Sequence, residues 1–157
     1  MSLPVREETD RKIDELKGRF PHQGSALLPA LYLIQEEKGY ISDEAMEYVA
    51  GKIDVSPAFV AGVVSFYTLF HRAPTGRHHI QVCRTLPCAL RGCQDLIAHL
   101  ERRLGIKAGG TTPDGRFSLA TVECLGACDT APMLQIGDRD YGPLDARAAD
   151  ALLESLR

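Results

Sequence analysis

Two short stretches, VCRTLPC and VECLGACDTAP, constrain this chain more than any other feature. The first separates Cys83 from Cys88 by four residues, and the second separates Cys124 from Cys128 by three. Each pair begins at the end of an alternating apolar run, HHIQVC or FSLATVEC, with the period of a half-buried strand. If the two strands are neighbours in one sheet, both loops project from the same end and four sulfurs converge. A small mixed sheet with helices packed on it satisfies that condition.

All five cysteines, these four and Cys93, lie in the second half of the chain. The opening MSLPVREETDRKIDELK is polar and acidic, unlike a signal or transit peptide, and no apolar run approaches the ~18 to 20 residues of a membrane span. A cytoplasmic protein without membrane insertion is expected. That compartment keeps thiols reduced, and an odd cysteine count argues against a disulfide framework, so clustered cysteines there point to metal binding or redox chemistry. Residues 1–77 carry 9 basic and 11 acidic side chains and residues 78–157 carry 9 and 10, which gives the net charge of -3. Neither half is a basic nucleic-acid surface, and no nucleic-acid partner is expected.

The pattern divides the chain. Residues 1–71 read as a helical domain, residues 72–77 (RAPTGR) as a turn-rich linker, and residues 78–157 as a second, cysteine-bearing domain. In the first, Ile13, Leu16 and Phe20 recur at helical spacing. Ser25 is expected to cap GSALLPALYLIQEEKG, whose Gly39 suits the stop, Ser42 to cap SDEAMEYVAGK, and Ser56 to cap a helix with Pro57 at its first position. In the second, ALRGCQDLIAHLERRLG predicts one amphipathic helix with Leu90, Cys93, Leu96, Ile97, Leu100 and Leu104 on its apolar face and Gly105 at its end. PMLQIG returning through Tyr141 predicts a hairpin, and Asp145 a cap for the last helix. The fold class is α+β.

Spacing leaves two occupants for four thiolates. Zinc takes tetrahedral thiolate cages, commonly with tighter C-x2-C pairs. A [2Fe-2S] cluster takes two thiolates on each iron, and wider loops suit that wider object. A thioredoxin-type dithiol needs C-x-x-C, and a Rieske centre needs two histidine ligands paired with two cysteines; neither is present. His78 and His79 read as exposed residues at a strand start, and Cys93 as a small buried hydrophobe. Gly126, between two candidate ligands, is expected to bend its loop so that amides face sulfur.

VCRTLPC, GIKAGGTTPDGRFSL and VECLGACDTAP, together with ALLPALYLIQEEKGYIS and VAGVVSFYTLFHRAPTGRHHIQVC upstream, resemble the thioredoxin-like [2Fe-2S] subunit of NADH-quinone oxidoreductase, the NuoE type of respiratory complex I. The resemblance runs from about residue 10 to the end. It implies a helical bundle followed by a thioredoxin-like [2Fe-2S] ferredoxin domain, with Cys83, Cys88, Cys124 and Cys128 as the cluster ligands; Cys93 departs from that pattern. It further implies an electron carrier rather than a complete enzyme, with FMN and NADH on a NuoF-like flavoprotein partner and further iron-sulfur subunits nearby. The location implied is peripheral, on the cytoplasmic side of the inner membrane. The sequence agrees in having no nucleotide-binding fingerprint. The same subunit type occurs in NAD-reducing hydrogenases, NAD-dependent formate dehydrogenases and electron-bifurcating complexes. A structural zinc-binding interaction module is the remote alternative.

Two expectations follow about how such a subunit works. The oxidised cluster with four thiolates carries a charge of -2 and takes one electron to -3, so the loops 84–87 and 125–127 are expected to set its potential through amide hydrogen bonds and burial. The apolar excess of VVSFYTLF is expected to dock the flavoprotein.

Overall fold

The computed structural model describes residues 3–156. The chain divides into two compact units between Pro74 and Thr75, the first helical and the second mixed.

In the helical unit, α1 (Glu7–Lys17) starts with Glu7, Glu8 and Asp10, carboxylates that favour a helix N-terminus, and buries Ile13. It stops before Phe20, which is exposed rather than part of the helical stripe. A 3-10 turn over Gln23–Ala26 precedes α2 (Leu27–Lys38), so Ser25 lies inside that turn and is not the cap. Gly39, at φ +82°, ends α2 where a side chain would be strained.

The next two caps form as expected. Ser42 Oγ accepts from the Ala45 N–H at 3.2 Å to start α3 (Asp43–Ile53), and Ser56 Oγ accepts from the Phe59 N–H at 3.2 Å to start α4 (Pro57–Phe66). Ile13, Leu27, Leu31, Ile34, Val49, Ile53 and Val60 fill the core. Gln35 then ties the exit of the unit to α2: its Nε2 donates to the Leu69 carbonyl at 2.9 Å and its Oε1 accepts from the His71 N–H at 2.7 Å.

In the second unit the described residues form one four-stranded sheet. The strands β1 (His78–Cys83) and β2 (Phe117–Val122) are parallel, with Ile80 opposite Leu119 and Cys83 opposite Val122. The hairpin β3 (Leu134–Ile136) and β4 (Arg139–Tyr141) joins antiparallel to β1. A parallel pair requires a crossover, and two helices supply it: α5 (Leu86–Leu90) and α6 (Cys93–Leu104).

The sequence pattern predicts one helix over this stretch. Gly92, in the left-handed region at φ +88°, breaks it, so Leu90 leaves the apolar face and is 78% exposed. Cys93, Leu96, Ile97 and Leu100 do pack into the core, and Gly105 closes α6. The last helix, α7 (Ala146–Ser155), starts where Asp145 Oδ1 accepts from the Ala148 N–H at 2.7 Å. His78 and His79 are half-buried rather than exposed. His78 lies against the Phe117 ring, and His79 Nδ1 is 2.7 Å from Ser118 Oγ, because β2 covers that side of β1.

Among the described residues, no single helix is long and apolar enough to cross a membrane.

Candidate metal centre

The β1/β2 register positions the candidate site. Because the strands are parallel and Cys83 pairs with Val122, both leave the sheet at the same end, and the Arg84 N–H donates to the Val122 carbonyl at 3.0 Å as they part. Cys83 ends β1 and is held on its other side by its own N–H to the Met133 carbonyl at 3.2 Å. Cys88 lies on the inner side of α5 rather than in an open loop. Both are buried, at 3% and 1% exposure. Cys124 lies two residues past the end of β2 and Cys128 opens a 3-10 turn (Cys128–Thr130); both are exposed.

Electrostatics join the two pairs. Burial alone would raise the Cys83 thiol, but hydrogen bonds from the Thr85 hydroxyl, the Leu125 and Thr85 backbone N–H groups and the Cys88 thiol outweigh it and hold Cys83 below the ordinary thiol range. Burial pushes Cys88 up, with the Cys83 charge adding to it, against a backbone hydrogen bond from Met133. Cys128 is pushed up by partial desolvation and then by Cys124, Cys83 and the Asp129 carboxylate. The thiols therefore act on one another within pairs and, through Cys83 and Cys128, between them.

Such a set resists holding several thiolates at once and is relieved by bound cations, which is the coupling that makes metal uptake release protons. Among the described residues, no three or more His, Cys, Asp or Glu side chains surround a single ion position. The donors come as two pairs, Cys83 with Cys88 and Cys124 with Cys128, which suits the two thiolates that each iron of a [2Fe-2S] cluster takes. The donor set fits a [2Fe-2S] cluster: soft thiols in pairs, with N–H groups already aimed at one sulfur.

Several positions at this end of the sheet were not singled out from sequence. Thr85 Oγ1 is 3.3 Å from Cys83 Sγ, and its place two residues after a ligand in a turn was the available signal. Arg84 and Glu123, each next to a candidate ligand, bridge the two loops, with the guanidinium Nη2 2.5 Å from Oε1. Gly142 packs so closely on the Thr130 carbonyl, behind the Cys128 turn, that a β-carbon would collide with it. Gly126 has φ +83°, the bend expected of it. Cys93 is fully buried, as expected, yet close enough to Cys83 for that charge to raise its thiol further after burial.

Residues 13–157 match the model of the thioredoxin-like [2Fe-2S] ferredoxin. The chain belongs to that family. It is 47% identical to the E 2 subunit of NADH-quinone oxidoreductase from Rhizobium meliloti (strain 1021) over 155 residues, covering 99% of this chain and 90% of the relative. It is 43% identical to NADH-quinone oxidoreductase subunit 2 of Thermus thermophilus over 148 residues, covering 92% and 82%. Among solved structures, the NAD+-reducing [NiFe]-hydrogenase in its air-oxidized state matches with a TM-score of 0.70 and 28% identity, over 83% of this chain but only 22% of the hydrogenase chain. This ferredoxin is thus an electron-transfer subunit of the NADH-quinone oxidoreductase E type, carrying a [2Fe-2S] cofactor and acting within an oxidoreductase complex rather than as a complete enzyme.

Proposed function

We propose that Cys83, Cys88, Cys124 and Cys128 hold the [2Fe-2S] cluster, and that this subunit passes single electrons to and from FMN in an NADH-binding flavoprotein partner. The observation that carries the reading is the parallel β1/β2 register, which brings two mutually interacting thiol pairs to one end of the sheet. When bound, the cluster would supply a one-electron redox site. The chain's own part is to hold the thiols and to point the Thr85 hydroxyl and the Leu125 N–H at Cys83, which favours added negative charge there. In this reading residues 78–157 are the cluster domain, and residues 1–71, joined by 72–77, offer exposed Phe59, Phe66 and Tyr67 to the flavoprotein. The complex would also hold further iron-sulfur subunits and would sit at the cytoplasmic face of the inner membrane.

The likeness to an NAD+-reducing hydrogenase supports a second parent complex for the same electron-carrying role.

The test is anaerobic purification with iron and sulfide counts and a low-temperature EPR spectrum after dithionite. About two irons and a reduced spin-half signal are expected. Alanine at any of the four cysteines should abolish both, while Cys93→Ala should keep them. Loss with Cys93→Ala but not with Cys88→Ala would overturn the ligand set.

A further inference from the structure

We propose that Arg84 and Arg91 are positioning residues for the cluster: each ties the segment that carries Cys83 and Cys88 to the segment that carries Cys124 and Cys128, and together they keep the four thiols gathered. The proposal rests on the ligand assignment above. The need for such ties follows from the topology. The ladder between β1 and β2 ends at Cys83 and Val122, with one further bond from the Arg84 N–H to the Val122 carbonyl at 3.0 Å. Past that point, among the described residues, no backbone hydrogen bond joins residues 85–92 to residues 123–132. Cys88, Cys124 and Cys128 all lie in those two stretches. Thiolates brought close repel one another, so stretches joined through their thiols alone would be driven apart before a metal bridged them.

The two arginines supply what the backbone lacks. Apart from contacts of the thiols themselves, every side-chain hydrogen bond between residues 84–92 and 123–132 among the described residues is made by Arg84 or Arg91. Arg84 directly follows Cys83, and Glu123 directly precedes Cys124. The guanidinium meets one carboxylate oxygen through both Nε, at 3.0 Å, and Nη2, at 2.5 Å. Arg91 caps the end of α5, three residues after Cys88, and its Nε donates at 2.8 Å to the Ala131 carbonyl, three residues after Cys128. One tie therefore links the first members of the two pairs and the other links the second members. The Arg84–Glu123 tie is an exposed ion pair, a modest interaction, whereas the Arg91 bond is partly buried and runs from a cation to a backbone carbonyl, a stronger kind. Charge separates this role from general stabilisation. Arg84 and Glu123 carry opposite charges beside a cluster that becomes more negative on reduction. Removing the arginine disfavours reduction and removing the glutamate favours it, although both removals open the same tie.

The experiment uses the whole cluster-loaded chain. Anaerobic iron release to a chelator is timed, and the midpoint is read by redox titration with EPR at low salt, for wild type, R84Q, E123Q, the exchanged pair R84E/E123R, R91M and R91K. Release is expected to be about twofold to fivefold faster in R84Q and in E123Q, with the midpoint lower in the first and higher in the second. The exchanged pair should release iron at close to the wild-type rate. R91M should release it about tenfold faster, with R91K nearer to wild type. Wild-type release in R84Q and E123Q, or an exchanged pair no slower than the single variants, overturns the Arg84 tie. Midpoints that move the same way in R84Q and E123Q assign the pair to general packing and also overturn it. Wild-type release in R91M overturns the Arg91 tie. If R91M takes up no iron but keeps the wild-type circular dichroism spectrum, the tie is upheld; if that spectrum is lost, R91K decides, its loading upholding the tie and its failure to load overturning it. A wild-type chain without about two irons, or one that keeps its cluster after alanine at one of the four cysteines, overturns the ligand assignment first.

Discussion

Thr85 and Gly126 show how single residues shape the centre. The Thr85 hydroxyl reaches Cys83 Sγ at 3.3 Å, and a hydrogen bond to sulfur favours the more negatively charged, reduced state. Thr85→Val removes that donor with little change in shape. The cluster's midpoint should fall by roughly 20 to 60 mV, the one-electron equivalent of a net hydrogen bond. A redox titration followed by EPR reads this directly, and Thr85→Ser should restore the wild-type value. Gly126 acts through backbone: a β-carbon there would meet no neighbouring atom, but its φ of +83° is strained for any side chain. Gly126→Val should re-aim the Leu125 N–H and lower iron content or shift the potential. Full occupancy at an unchanged midpoint would show that the bend does not matter to the sulfur.

At the scale of elements, the break between α5 and α6 separates what the sequence disclosed from what it concealed. Ser42, Ser56 and Asp145 were legible because a cap acts within three residues, and each of their side chains accepts the expected N–H. The end of β1 was legible because alternation stops at Cys83, whereas β2 ends at Val122, two residues short of the Cys124 to which its alternation pointed. The break was not: Leu90 continues the helical period of Leu96, Ile97 and Leu100, and a glycine within such a run reads as tolerated until its φ is known. Ser25 misled for a related reason, since a 3-10 turn and a helix start share the same residue preferences. Gly92→Ala should cost about 1 to 2 kcal/mol in urea unfolding, the penalty for a left-handed alanine. Between α1 and α2 a carboxylate makes a second element-scale device. Burial would raise Glu37, but hydrogen bonds from Lys38, Thr9 and the Arg6 N–H bring it down to about 2 from an ordinary 4.5. A depressed carboxylate stabilises above its unfolded pKa, so the contribution is complete above about pH 4.5 and fades as pH falls toward 2. Its full size is up to about 3 kcal/mol. Glu37→Gln should therefore lower the stability of the helical unit at pH 7 and flatten its loss over that acid range.

At the scale of the whole molecule, the two units draw their stability from different sources. The helical unit has an apolar core and side-chain ties such as Lys52, whose ammonium lies 2.8 Å from both Asp10 and Asp14. The second unit also has a core, but one end of its sheet gathers thiols that repel one another when ionised. In the proposed ligand assignment a cluster bound there would oppose unfolding, because the unfolded chain has no site. Removing the cluster with a chelator under reducing conditions should then act on one unit only. Calorimetry of the loaded protein is expected to show two transitions, and removal should lower just one of them, by the equivalent of about 4 kcal/mol or more for a ligand far above its dissociation constant. Hydrogen exchange assigns the transitions: β1, β2 and α6 should lose protection, while α2 and α3 keep theirs. A joint shift of both transitions would mean that the cluster stabilises the chain as one cooperative body. In that case the boundary at Pro74 and Thr75 is a division of packing and not of folding.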